Sequence, residues 1–303
     1  MTLSSRRFAS VALVALLAPV ALGFAACGGD SEGSKSGAKP SAAKPTLLSI
    51  TTSDAGKRFS MQAPKSIKGG LVEIRFKNAG KVPHEAGLVR VEGDHSLKDV
   101  LKIVSTDGPV KIPDWLYAEG GVATTPPGQE LSTTENLRAG HYFVIDTESE
   151  EGPPPAARGA VAEFDVTPGT DGALPATEAK VVAKTVDEDK YEFEVSGLKA
   201  GPNKLLFKNE SDGQIHHIVA FPIVPGKSLA DVKKFLSEEG EPSGPPPVDF
   251  MSGTNTEVLD GKRQLVTTVN LKAGKYALVC FLNDRDELKP HFKEGMLKEV
   301  DVK

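Results

Sequence analysis

Three observations predict an all-β fold for this chain, built as two similar units. Gly and Pro number 30 and 22 among 303 residues, while aromatic residues make up 6% and Trp115 stands alone; that composition favours turn-rich sheets over packed helices. Short runs alternate apolar and polar residues, the period of a half-buried strand. Several runs also recur further along the chain at a nearly constant offset.

The first segment is neither unit. Arg6-Arg7 precedes an apolar run, Val11 to Leu22, that ends in small residues and Cys27. This has the layout of an export leader over residues 1–26 and is too short to favour a permanent membrane span. Phe24-Ala25-Ala26-Cys27 resembles a bacterial lipobox, with Phe24 where Leu is usual. The resemblance implies lipidation of Cys27; the alternative is ordinary cleavage near Ala26. Residues 27–45 then form a tether: beyond Cys27 they hold no large apolar residue. They cannot bury enough surface to fold, and their root-mean-square reach is roughly 23 Å.

The duplication covers the remainder. Gly70–Asn78 matches Gly201–Asn209 at an offset of 131, and Ser96–Val100 matches Ser228–Val232 at 132. Leu137–Tyr142 matches Leu271–Tyr276 at 134, and Gly159–Val166 matches Gly295–Val302 at 136. The slow drift is what loop insertions produce, so two domains are expected, 46–168 and 176–303, joined by the Pro/Gly/Thr-rich stretch between Val166 and Ala176. Val72, Ile74 and Phe76 in the first copy, and Tyr191, Phe193 and Val195 in the second, line single strand faces. Tyr276–Phe281 is apolar on both faces and suits a central strand. One short helix per copy begins at the N-caps Ser96 and Ser228, with Asp99 and Asp231 in the first turn. Leu97, Val100, Leu101 and Val104 give the first helix its docking face. The Pro-rich stretches 153–155 and 245–247 read as surface loops.

The C-terminal copy concentrates unusual side chains. Cys280 is the only cysteine besides Cys27, and His291 and Met296 follow it. A thiolate, two imidazoles and a thioether are the donors of a trigonal His₂Cys copper site with a weak axial Met. His216-His217 offers the second imidazole. Neighbouring strand residues point to opposite faces, so at most one of the two reaches the site. His84 and His216 each stand twelve positions before the helix-capping serine of their copy, which matches His216 to His84 and His217 to Glu85. His216 is therefore the expected ligand and His217 a residue of the rim. The plainer alternatives are a small apolar core cysteine, a gap-filling Met and an exposed loop His.

In this order the residues resemble those of the cupredoxins, the blue-copper family. The resemblance covers about the last 125 residues, and the first copy is similar without the site. It implies Greek-key β-sandwiches and a type 1 copper held by His216, Cys280, His291 and Met296. The separation of His291 from Met296 fits the family, whereas the ten residues between Cys280 and His291 exceed its usual spacing. In the first copy Asp146 stands for Cys280, roughly Pro155 for His291 and Ala160 for Met296. That copy is expected to hold no copper, and its His84 to be structural or vestigial. Asp146 and Glu294 read as solvated charges.

The expected function is that of a membrane-tethered blue-copper protein transferring electrons to an unidentified redox partner protein. It would sit at the outer face of the cytoplasmic membrane or in the cell envelope, held by its lipid. The alternatives are copper storage, delivery or sensing, or a metal-free envelope binding module. A net charge of −5, or −7 once Arg6 and Arg7 leave with the leader, gives no reason to expect nucleic acid as a partner. No Ser/His/Asp order, P-loop, Cys-x-x-Cys or His-x-His pair is visible, so the chain is expected not to be an enzyme. Cys27→Ala is predicted to move the mature protein from the membrane to the soluble fraction, since stable anchoring rests on the acyl chains; unchanged fractionation would refute the anchor.

Overall fold

Alternating burial organises the strands of both halves. The computed structural model describes residues 44–303 without 57, 107, 149–151, 239–243 and 286–287. Cys27, the leader and nearly all of the tether lie outside the described residues. The N-terminal half runs β1 (Thr46–Ala55), β2 (Arg58–Gln62), β3 (Ser66–Asn78), β4 (His84–Val91), α1 (Leu97–Val104), β5 (Leu116–Thr125), β6 (Glu130–Leu137), β7 (Gly140–Ile145) and β8 (Val161–Thr170). The C-terminal half repeats this order as β9 (Ala179–Asp187), β10 (Lys190–Ser196), β11 (Gly201–Asn209), β12 (Val219–Pro222), α2 (Leu229–Ser237), β13 (Thr254–Asn255), β14 (Gln264–Leu271), β15 (Gly274–Val279) and β16 (Leu297–Val302). The all-β sandwich class expected from the sequence is what the structure shows. No described helix is long and apolar enough to cross a membrane.

The duplicated segments occupy equivalent places. Phe76 of β3 lies in register between Ile50 of the parallel β1 and Leu131 of the antiparallel β6. Phe207 of β11 lies likewise between Val181 of β9 and Leu265 of β14. Both rings are fully buried. Leu48, Ile50, Ile74 and Phe76 pack against Leu88, Tyr142, Val144 and Phe164 in one core. Val181, Phe193, Leu205 and Phe207 pack against Ala220, Leu278 and Val302 in the other. The helices are capped as the sequence indicates: Ser96 N donates to Asp99 Oδ2 and Ser228 N to Asp231 Oδ2, each at 2.8 Å. Helix α2 lays Val232 and Leu236 beside Ala277, Val279 and Phe292, which covers the outer face of β15.

Strand β8 extends to Thr170, into the stretch read as linker. Its backbone at Gly169 passes so close to Gly69 that a Cβ there would meet the Gly69 carbonyl oxygen at 1.8 Å. Only a glycine at 169 permits that approach.

The two halves share a sheet. Strand β14 pairs with β6 through Leu265↔Glu135, Val266↔Thr134 and Thr267↔Thr133, which continues one hydrogen-bonded ladder across the boundary. Around the seam the buried Glu119 pairs with Arg90 Nε at 2.9 Å and with Arg263 of the other half. A second acidic group spans the boundary at Glu85 and Glu257, both nearly buried. Burial, then Glu148 and Asp146, push the Glu85 carboxyl up to about 7, against the hydrogen bonds it accepts from Thr147. Burial, then Glu85, raises Glu257 well above the carboxylate range. Stability that depends on holding the Glu85 proton is complete below about pH 4.5 and is lost as pH rises through about 7. Glu85→Gln is therefore predicted to leave stability little changed at pH 5 and to raise it at pH 8, by at most about 3 kcal/mol. Urea unfolding at the two pH values tests this, and an equal effect at both would refute it.

Candidate metal centre

Strand period places the thiol. Along β15, Tyr276, Leu278 and, just past its end, Cys280 face the interior, while Ala277 and Val279 face α2. Cys280 N donates to Met296 O at 3.1 Å, extending the ladder between β15 and β16. His216 is fixed by its backbone, which exchanges two 2.9 Å hydrogen bonds with Leu259. The turn before it is tied by Asn209, whose Nδ2 donates to Gln214 O at 2.8 Å and Leu259 O at 2.9 Å. Asn78 ties the corresponding N-terminal turn through Val82 O and Thr125 O, both at 2.8 Å.

The long segment between Cys280 and His291 folds back on itself. His291 N donates to Leu282 O at 2.8 Å, and Asp284 N to Lys289 O at 2.7 Å. Asn283 and Pro290 form a bridge. That neck brings His291 back beside the thiol.

Three of the four expected donors therefore converge. His216 Nδ1 lies 3.1 Å from His291 Nδ1, Cys280 Sγ lies 3.5 Å from His291 Nδ1, and it lies 3.8 Å from His216 Nδ1. Donors held about 2.0–2.3 Å from one ion and spread around it in a plane stand about 3.5 Å apart, so the trio fits a metal ion. All three residues are fully buried. Met296 is buried in the same core cluster as Cys280, and its backbone N donates to His291 O at 2.9 Å. His217 stands outside the trio, half-buried, with Nε2 accepting from Phe281 N at 3.1 Å.

The surroundings keep the imidazoles neutral and the sulfur protonated in the metal-free protein. Burial, then His291 and His217, hold His216 well below the usual imidazole range. Burial lowers His291 to about 4, opposed by Asp284. Burial pushes the Cys280 thiol up to about 12, against the backbone amides of His217 and Leu282. Binding a cation thus displaces the thiol proton. Tyr191 packs edge-on against both rings, 5.2 Å from His216 and 5.0 Å from His291, and donates to Asp284 Oδ2 at 2.9 Å. Ser211 Oγ lies 3.0 Å from His216 Nε2, which turns Nδ1 toward the thiol.

Tyr191, Ser211, Asp284 and Leu259 were not legible as site residues. Of these only Tyr191 carried any signal, as an aromatic residue on a predicted inward strand face. Glu294, read as solvated, is 9% exposed and packs into the turn carrying His291; one donor atom each from Asp284, His291 and Glu294 falls within 4.8 Å of the others. Asp146 is also corrected, for it is fully buried. It hydrogen-bonds His84 Nδ1, while His84 Nε2 meets Asp54 Oδ1 at 3.0 Å. Where the C-terminal half places a thiol beside its histidine, the N-terminal half places a carboxylate. Burial disfavours a charged His84 ring, but the bonds to Asp146 and Asp54 outweigh it and raise its pKa. Stability from this triad is complete below the unfolded imidazole pKa and is lost as pH rises through the raised one. Asp146→Ala is predicted to cost about 3–5 kcal/mol at pH 6, because it removes one partner of a buried pair; denaturant unfolding measures it, and a loss under about 1 kcal/mol would assign the triad no structural weight.

No family model matches the chain, and the comparison with curated proteins found no match. Among solved structures, the chain is similar to a multicopper oxidase, at 17% identity over 85% of this chain and 88% of that one, with a TM-score of 0.23. It is similar to auracyanin from Roseiflexus castenholzii at 20% identity over 41% of this chain and 94% of that one, with a TM-score of 0.25. A copper-containing nitrite reductase from Thermus scotoductus gives 12% identity over 85% and 61%, with a TM-score of 0.24. Likenesses this distant carry no functional argument. The reading of the chain as a non-enzyme is withdrawn: the structures found include an oxidase and a reductase. That reading rested on missing local motifs, yet the donors found here lie 11 and 75 residues apart. Long-range convergence leaves no local motif to find.

Proposed function

We propose that the C-terminal half binds one copper ion through His216, Cys280 and His291, with Met296 as a weak fourth donor, and exchanges electrons through it. The observation that carries this reading is the spacing of 3.1, 3.5 and 3.8 Å among three buried donors. A soft thiolate beside two neutral imidazoles suits copper far better than a hard cation. Copper held by these donors supplies a one-electron couple of the type 1 kind. Tyr191 and Ser211 hold the rings, and the β15–β16 ladder holds the sulfur, so the donors keep their places when the charge at the site changes. Complete burial supports a retained ion over storage or delivery, which need exchange. The leader-like segment and Cys27 support a lipid-anchored location outside the cytoplasmic membrane, where a protein partner would give or take the electron.

Titrating the purified protein with Cu(II) is predicted to produce an intense visible absorption that saturates at one equivalent. Cys280→Ser should abolish it, and His217→Ala should leave it intact. Copper binding without the colour would favour the storage and delivery reading; no binding at all would overturn the copper assignment.

A further inference from the structure

The N-terminal half has no thiol at its own histidine, yet it touches the framework of the C-terminal donors at several points. Its β5 strand runs beside residues 258–260. Gly120 N donates to Val258 O at 3.0 Å, and Asp260 N donates to Ala118 O at 2.8 Å. Between those two residues, Leu259 turns its own N–H and C=O the other way, onto His216. Residues 258–260 are thus the middle rung of a ladder with the N-terminal half on one side and a candidate ligand on the other. The loop carrying His291 is gripped from the same place. Arg285 Nη2 donates to Asp260 Oδ2 at 2.9 Å, Arg285 Nη1 reaches Ile112 O of the N-terminal half at 3.4 Å, and Arg285 N donates to Gln214 Oε1 at 3.1 Å. The side chains of Arg285 and Asp260 are 13% and 12% exposed, so water screens the pair little.

We propose that the N-terminal half serves as a clamp for the metal centre, holding His216 through residues 258–260 and the His291 loop through Arg285, with Arg285 and Asp260 as positioning residues. The proposal rests on the copper reading for its purpose but on backbone and side-chain contacts for its mechanism. A segment as long as the one from Cys280 to His291 would sample many conformations if free. The neck at Asn283–Pro290 limits that freedom, and the Arg285–Asp260 pair fixes the neck against an element that also fixes His216. The two imidazoles then keep their separation because both are referred to one rung.

Reactivity of the Cys280 thiol in metal-free protein reads the clamp directly. A small alkylating reagent is applied, and the Cys280 peptide is followed by mass spectrometry. Arg285→Ala and Asp260→Ala are each expected to speed labelling at least about tenfold through local opening of the loop. The double variant should add little to either, as for partners in one interaction, and Arg285→Lys should recover part of the protection. In copper-loaded protein, Arg285→Ala should weaken or shift the visible absorption. Labelling within twofold of wild type would overturn the clamp, as would hydrogen exchange in β3 and β11 that rises in step with labelling, which would mark general loosening. If Arg285→Ala fails to fold, Asp260→Asn, nearly unchanged in shape, carries the same test. Failure of the wild-type protein to take up copper would sink the copper reading and leave the labelling result to decide the clamp.

Discussion

Placing a thiol and two imidazoles inside a sealed core removes their water, and a polar group left without water or a partner costs free energy. Much of the C-terminal half is arranged around that cost. The rings stay neutral, the thiol stays protonated, and the three polar atoms face one another. Tyr191 contributes a ring to the trio and hands its hydroxyl to Asp284, so the aromatic wall carries no loose polar end. The Asn209 turn, the Leu259 rung and the β15–β16 ladder hold the backbones that present these donors.

The equivalent place in the N-terminal half holds a different set of side chains. His84 and Asp146 occupy the positions of His216 and Cys280, and they satisfy each other through a buried hydrogen bond, with Asp54 on the far ring nitrogen. The histidine survives in both halves because the Asn-tied turn and the strand after it deliver it to the same interior point. What differs is the group at the end of the penultimate strand. One residue type there replaces a trio of facing donors with a closed histidine–carboxylate hydrogen bond. The framework is therefore separable from the chemistry, which is why residues such as Phe76 and Phe207 match while the donors do not.

Most of the architecture was legible because it is local or repeated. Strand faces follow from alternation at Val72–Phe76 and Tyr191–Val195, helix starts from Ser96 and Ser228, and the choice of His216 over His217 from spacing shared between copies. The donors themselves could be read because their types are rare in this chain. What remained hidden is non-local. Nothing near Asp146 announces that His84, 62 residues away, will neutralise it. Glu294 looks solvated until the return of the His291 loop covers it. Residues 258–260 contain no motif, and their importance comes from lying between two other segments. The end of β8 at Thr170 depended on Gly169 meeting the backbone of Gly69, a hundred residues earlier.

The junction of β6 with β14 has a consequence beyond holding the halves in place. In the N-terminal half β6 lies against β3, and in the C-terminal half β14 lies against β11, so each would be an outer strand of a sheet standing alone. Outer strands offer unpaired peptide groups that recruit other chains. Here the two strands cover each other across three residue pairs. Proteolysis between the halves, or synthesis that stalls before β14 emerges, would bare an adhesive ribbon at β6, and the intact chain is its own safeguard against self-association.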